Sequence, residues 1–406
     1  MQNYPCLTVT EKAETLLRGG HPWVFADEVD PAATAPADGS LVHIFSRKQK
    51  FLGTGFYNGN SKIRIRLVSR NANDTFDAAF WRRRLQYAVD YRKTVMGPED
   101  FRACRLIFGE ADTLPGLTVD RYENVLVTQV LSLGIERIKP LLYDTLVSVL
   151  RDAGQTIDAI YERNDVAIRA LEGMTQSVGF YGGAGLRTDL DGAVDICENG
   201  LTLRVDYREG QKTGYFLDQK YNRLAIRPIA RGRRVLDCFT HTGGFALNAA
   251  AGGAVMVNAV DVSADALAMA RFNARRNGLE QIRYTCADVF ELLSAMERQG
   301  DRTYDFIILD PPAFTKSRDT LKNAIRGYRE INRAAMRLLP RGGYLATCSC
   351  SHFMTETYFR QMLHNAAEDV GVSLRQIEAR RQSPDHPILW NVPETDYLKF
   401  YIFQIV

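Results

Sequence analysis

From about residue 190 the chain keeps one rhythm, in which short apolar strands alternate with amphipathic helices. Strands are read at Arg234–Asp237, Val255–Asp261, Ile282–Cys286, Tyr304–Asp310 and Gly343–Cys348, with helices from Gly244 and across Ala264–Asn277. A helix between successive strands makes them parallel, and near-continuous apolar strands imply a sheet covered on both faces. The fold class over residues 190–406 is therefore α/β. Pro387–Trp390 and Tyr397–Ile405 read as two further strands that close the sheet as an antiparallel pair.

The 406 residues are too many for one core, since domains usually run ~100–200 residues. Residues 1–70 read as a β-rich module broken by glycines and by the Asp30–Gly39 linker. Residues 75–182 read as a small α+β segment. It has a basic helix near Phe80–Met96, strands near Leu117–Tyr122 and Val125–Leu131, a helix near Glu136–Leu150 and a strand near Ala159–Arg163. The glycine-rich stretch Gly179–Gly185 marks its end. With 46% apolar and 24% charged residues, a largely disordered chain is excluded. No apolar run approaches the ~20 residues of a membrane helix, and the start lacks a signal-peptide core. Seven cysteines, an odd number mostly inside apolar stretches, fit a reducing cytoplasm rather than a disulfide framework.

A net charge of +3 excludes a bulk polyelectrolyte but not a local basic surface. Leu41–Arg102 holds thirteen Lys/Arg against five Asp/Glu, including Arg82-Arg83-Arg84 and the alternating Lys62-Ile63-Arg64-Ile65-Arg66. The alternation reads as a strand with isoleucines inward and basic groups outward. Phe45, Phe51, Phe56, Tyr57, Phe80 and Trp81 interleave. Basic groups hold phosphates and aromatic faces stack on unpaired bases, so RNA is the expected partner; a solvated basic face is the plainer alternative.

In open α/β sheets, ligands bind beyond the carboxyl ends of the strands. Asp237, Asp261, Asp288 and Asp310 stand at four such ends, with Cys348 at a fifth. After Asp237 comes the turn Cys-Phe-Thr-His-Thr242-Gly243-Gly244-Phe245. Its glycines permit a tight turn, and the helix that follows favours an anionic group at its start. Asp261 is placed to accept ribose hydroxyls and Asp288 to meet an adenine amino group. Because the turn is not GxGxxG, a pyrophosphate is poorly served; a cofactor with ribose and adenine but no phosphate fits, namely S-adenosylmethionine. Helix capping could account for one or two of these acids.

Asp310-Pro311-Pro312-Ala313-Phe314 is the most specific string. Its prolines fix a rigid wall at a strand end, and Phe314 is a candidate to stack on a flipped base. The neighbouring strand ends Thr347-Cys348-Ser349-Cys350-Ser351-His352. A thiolate adding to carbon 6 of cytosine makes carbon 5 nucleophilic, so that it can accept a methyl group. Cys348 or Cys350 could supply the sulfur and Asp310 the acid. Packing is the alternative for either cysteine. Cys-x-Cys-x-His has too few partners for a zinc site, and no metal is expected.

The whole chain resembles the bacterial large-ribosomal-subunit rRNA cytosine-carbon-5 methyltransferases that carry an N-terminal PUA domain. The strings are Gly20–Phe25, Gly210–Gln219, Asp237–Phe245, Asp310–Phe314 and Thr347–Ser351. The resemblance implies a PUA domain to about residue 70, a central strand-strand-helix-strand-strand domain to about 180, and a class I, Rossmann-like methyltransferase domain thereafter. It implies S-adenosylmethionine as cofactor and 23S rRNA, or the assembling large subunit, as substrate. Carried over by residue, Asp237, Thr242, Gly243, Gly244, Phe245, Asp261, Val262, Ser263, Asp288, Asp310 and Pro311 would line the cofactor site. Gln211, Lys212, Thr213, Phe216 and Asp218 would form a lid. Thr347-Cys348-Ser349 resembles the nucleophile motif of RNA 5-methylcytosine enzymes, which favours Cys348 over Cys350. Many such enzymes carry a second cysteine after Asp-x-Pro, where Ala313 stands here.

Two rivals remain at this level. One is an RNA base-amine methyltransferase using Asp-Pro-Pro without a cysteine; the other is a catalytically silent ribosome-assembly RNA binder. The sequence places the protein in the cytoplasm without a membrane contact, and leaves a homodimer open.

Overall fold

The computed structural model describes residues 3–315, 317 and 319–406, so the first two residues of the N-terminal module lie outside the described residues. The chain packs as two compact units. One gathers the chain up to Cys197 with Val205–Leu217 and Pro384–Thr395; the other holds Glu198–Arg204, Asp218–Ser383 and Asp396–Val406.

The first unit begins with five strands, β1 (Cys6–Val9), β2 (Trp23–Phe25), β3 (Leu41–Ser46), β4 (Phe51–Tyr57) and β5 (Ile63–Ser69), in the order β1-β3-β4-β5-β2. The Thr10 hydroxyl accepts the Ala13 N–H and so starts the helix Glu11–Arg18, whose Ala13 and Leu17 pack with Val24, Val42, Ile44 and Ile65. The alternation in β5 puts Ile65 inside as expected, but Arg66 is buried too. Its guanidinium forks to Glu110 at 3.1 Å and Glu172 at 2.9 Å. Other members of the basic stretch are also paired: Arg47 with Asp30, Arg82 with Asp152, and the fully buried Arg92 with Asp112. Phe45 and Phe51 are half-buried, whereas Phe56, Tyr57, Phe80 and Trp81 are core, with Phe56 lying parallel to Trp81 at 6.0 Å. The expectation that this stretch is a phosphate-and-base surface is thus corrected for these residues. Its acids come from other parts of the chain, which a local charge count does not see. Lys48, Lys50, Lys62 and Arg70 stay exposed.

A second sheet in this unit comprises β6 (Ala103–Phe108), β7 (Leu117–Tyr122), β8 (Val125–Val130), β9 (Ala159–Asn164) and β10 (Ser177–Phe180), in the order β10-β9-β8-β7-β6. The helix Leu133–Asp152 joins β8 to the parallel β9. The leading strand β6 was not expected. Its run Ala-Cys-Arg-Leu-Ile-Phe lacks alternation because most of it is buried. Asp120 on β7 is fully buried and grips Arg105 on β6 through two hydrogen bonds of 2.7 and 2.8 Å. A two-stranded ribbon follows, β11 (Ala193–Glu198) and β12 (Leu201–Asp206).

The second unit is built on β13 (Arg234–Cys238), β14 (Met256–Asp261), β15 (Ile282–Cys286), β16 (Phe306–Leu309), β17 (Tyr344–Ser349), β18 (Leu374–Arg380) and β19 (Lys399–Ile405). Their order is β15-β14-β13-β16-β17-β19-β18. The first five are parallel; β19 runs antiparallel to both β17 and β18. The order reverses between β13 and β16, the switch point where such sheets bind ligands. The helices Val289–Gln299, Leu321–Leu338 and Glu356–Val370 share one core with Leu236, Ile307, Leu345 and Tyr401, covering one face. Phe400, of opposite parity to Tyr401, stacks on Phe245 of the helix Gly244–Ala251.

The closing strands need one correction. Lys399–Ile405 forms as expected, but its antiparallel edge partner is Leu374–Arg380, and Pro387–Trp390 is no strand. Pro384, Pro387 and Pro393 punctuate that segment. The true partner is a largely exposed edge with a bulge at Gln376/Glu378, so it lacks an apolar rhythm.

Asp120→Ala is expected to destabilise the protein by about 3–5 kcal/mol, because it leaves the Arg105 guanidinium without its carboxylate partner. Urea unfolding checks this; a midpoint equal to wild type would contradict it.

Candidate active site

The turn between β13 and the helix Gly244–Ala251 carries most of the local strain in the second unit. Phe239 (φ 64°), His241 (φ 50°) and Gly243 (φ 89°) all adopt left-handed backbone, which costs the two non-glycine residues energy. A Cβ at Gly243 would also meet Ala270 at 3.0 Å. Two carboxylates hold the turn. Asp237 is fully buried and accepts the Thr240 hydroxyl at 2.5 Å. Asp261 accepts the His241 N–H at 2.8 Å on one oxygen and the Ser263 N–H at 2.9 Å on the other, tying the loops after β13 and β14 together.

Burial pushes the Asp237 carboxyl up to about 7; the nearby Asp310 charge adds to this and the Thr240 hydrogen bond opposes it. Asp310, just past the end of β16, is pushed up to about 6 by burial, with Asp218 adding to the rise and Arg223 opposing it. The Gln219 amide donates to Asp310 at 3.0 Å, and Gln219 is itself held by Asn222 at 2.7 Å. Asp218 accepts the Tyr397 hydroxyl at 2.6 Å.

Leu309 of β16 pairs with Thr347 of β17, so the next residues, Asp310 and Cys348, stand side by side. The Cys348 thiol is buried and lies within hydrogen-bonding reach of both Asp310 and Gln219; burial, then the Asp310 charge, pushes it well above the usual thiol range. Cys350 lies beyond the end of the strand, half-buried, its sulfur 4.0 Å from the Pro311 carbonyl. The strand stops at Ser349, so Cys350 does not continue the register of Cys348. Near Cys350 is the buried Lys399, whose ammonium donates to the carbonyls of Ser351 at 2.6 Å and Tyr397 at 2.8 Å. Burial pulls Lys399 down to about 8, against the opposing influence of Cys350 and Asp396.

Several side chains have other duties. Asp288 caps the helix Val289–Gln299 by accepting from Phe290 and Glu291 on one oxygen. The Ser263 hydroxyl caps the helix Ala264–Arg276. Val262 is 72% exposed, Phe245 is stacked on Phe400, and the Thr242 hydroxyl lies 3.4 Å from its neighbour His241. Phe314 is half-buried, its ring against Tyr328 at 4.6 Å and Phe290 at 5.7 Å. Of the lid residues, Gln211, Lys212, Thr213 and Phe216 belong to the first unit. There the buried Thr213 hydroxyl is committed to Asp120 at 2.5 Å, and the Lys212 ammonium sits over the Phe216 ring at 4.9 Å. Gln219, Tyr397 and Lys399 were missed as site residues. The lone cation at the head of the apolar run Lys399–Ile405 was the available signal.

The residues suit S-adenosylmethionine. The second oxygen of Asp237 is buried without a hydrogen-bond partner among the described residues, and the glycine turn presents a helix start for a carboxylate. Carboxylates at the ends of β13, β14 and β16 meet hydroxyls and a cation better than phosphates. A sheet of this order with these strand ends is that of an S-adenosylmethionine-dependent methyltransferase, and that family matches residues 183–403, with a PUA-like domain at 7–70. Two proteins named ribosomal RNA large subunit methyltransferase I are full-length relatives. The one from Klebsiella pneumoniae is 38% identical over 99% of both chains, and the one from Cronobacter sakazakii 40% over 98% and 99%. The chain belongs to the ribosomal RNA large subunit methyltransferase I family. A Streptococcus mutans methyltransferase structure has the same fold at 22% identity, with a TM-score of 0.81 over 98% of this chain and 100% of its own. Among the described residues, no helix is long and apolar enough to cross a membrane.

The raised carboxyl of Asp237 has a consequence for folding. The folded protein keeps a proton that the unfolded chain releases near 3.8, so this contribution to stability is full below that pH and is lost as pH rises towards about 7. Asp237→Asn is expected to flatten the fall in urea midpoint across that range. An unchanged slope would contradict the burial argument.

Proposed function

We propose that the protein forms 5-methylcytosine in 23S rRNA, with Cys348 as nucleophile, Asp310 as proton carrier and Cys350 as the base that completes the reaction. The observation that carries this reading is the Cys348 thiol lying against a carboxyl raised to about 6, at adjacent strand ends.

S-adenosylmethionine, when bound, supplies an electrophilic methyl group. Asp261 would hold its ribose hydroxyls, and the N–H groups after Gly243 would hold its carboxylate. The Cys348 sulfur adds to carbon 6 of the cytosine, and the thiol proton passes through Asp310 to ring nitrogen 3. A carboxyl poised near neutrality can both accept and return that proton. Carbon 5, now enamine-like, takes the methyl group. Ala313 cannot accept the remaining proton on carbon 5. Cys350 is the thiol beside the Asp-Pro-Pro wall, with the Lys399 ammonium nearby. As Cys350 takes the proton, the ring double bond re-forms and the bond from carbon 6 to Cys348 breaks, restoring both residues after one proton passes to solvent. The base-amine reading needs no cysteine and gives the Cys348 thiol beside Asp310 no use.

Cys348→Ala is expected to lower methyl transfer at least about 1,000-fold while S-adenosylmethionine affinity stays near wild type. Cys350→Ala should instead accumulate a protein–RNA adduct stable to denaturation. Digestion of methylated RNA should yield 5-methylcytidine. A methylated amine in the digest, or normal turnover by Cys348→Ala, would refute the reading.

A further inference from the structure

Trp390 is 95% exposed, so its indole adds nothing to the core. It nevertheless stands on a rigid base. The segment Pro384–Thr395 packs within the first unit, although strands of the second unit precede and follow it in the chain. Asp385 is fully buried, accepts the Arg105 N–H at 2.7 Å on its side chain and the Arg92 guanidinium at 2.9 Å on its carbonyl. Val392 is buried as well, and the Thr395 hydroxyl accepts the Leu389 N–H at 2.9 Å. Next to the indole, the Asn391 amide donates to the Gly19 carbonyl at 2.8 Å. This approach depends on Gly20 (φ 97°), where a Cβ would fall 1.5 Å from the Asn391 amide nitrogen. Arg70 is exposed and donates to the Leu17 carbonyl, at 3.4 Å, in the same turn. A large aromatic that the core does not use and a cation tied to the fold by a single long hydrogen bond are therefore both anchored at one turn of the PUA-like module.

We propose that Trp390 is a platform on which an unpaired base of the ribosomal RNA stacks, with Arg70 meeting a neighbouring phosphate. This rests on the rRNA reading above. Base–aromatic stacking tolerates any base, and an arginine nearby adds phosphate affinity, so the pair serves to grip rather than to read sequence. A backbone held before binding loses little freedom when the base arrives.

The test uses 23S rRNA from cells lacking the enzyme, both free and in large subunits, with Trp390→Ala and Trp390→Phe. The expected result is a rise in KM for RNA of about 10-fold for Trp390→Ala and less for Trp390→Phe. Maximal turnover and S-adenosylmethionine affinity should be unchanged. RNA should also quench wild-type tryptophan fluorescence more than that of Trp390→Phe, since Trp81 is buried and Trp23 donates its indole N–H to Glu110. Unchanged KM with equal quenching would overturn the inference. So would an effect confined to sedimentation, which would assign the indole to contact with a second copy. If the wild type methylates neither RNA sample, the rRNA reading itself fails and this inference fails with it.

Discussion

Everything at the active rim depends on keeping carboxyl groups out of water at the ends of parallel strands. Asp237 and Asp310 come from adjacent strands, β13 and β16; burial makes both harder to ionise, and the Asp310 charge adds to this for Asp237. Such burial is costly unless the groups are hydrogen-bonded. Thr240 holds Asp237 and Gln219 holds Asp310. The same burial that costs stability leaves Asp310 poised to pass a proton near neutral pH, and leaves one oxygen of Asp237 without a partner in the turn. Stability is set against function at two named residues.

The thiols divide along similar lines. Cys348 is inside the strand, protonated by burial and in reach of Asp310, which suits a nucleophile that fires only when a proton path opens. Cys350 falls outside the strand, where the buried ammonium of Lys399 clamps the following residue by its carbonyl. One strand end thus offers two sulfur environments two residues apart. The difference arises from where β17 stops pairing with β19.

Much of this was legible in the sequence. The α/β rhythm after residue 190 fixes a parallel sheet, and a parallel sheet fixes which residues stand at its ligand edge; Asp237, Asp261, Asp310 and Cys348 follow from that logic alone. What was not legible depends on partners distant along the chain. Arg66 and Arg92 looked like surface cations because Glu172 and Asp385 lie far off in sequence. The edge strand Leu374–Arg380 escaped because exposure removes the apolar alternation by which strands are recognised.

The central claim is a bond between the Cys348 sulfur and carbon 6 of cytosine. Ribosomal RNA carrying 5-fluorocytidine tests it directly, because fluorine at carbon 5 cannot leave as a proton does and the adduct is held. Fragmentation of the trapped peptide should place the nucleotide on Cys348. Attachment to Cys350, or methyl transfer with no adduct at all, would contradict the account.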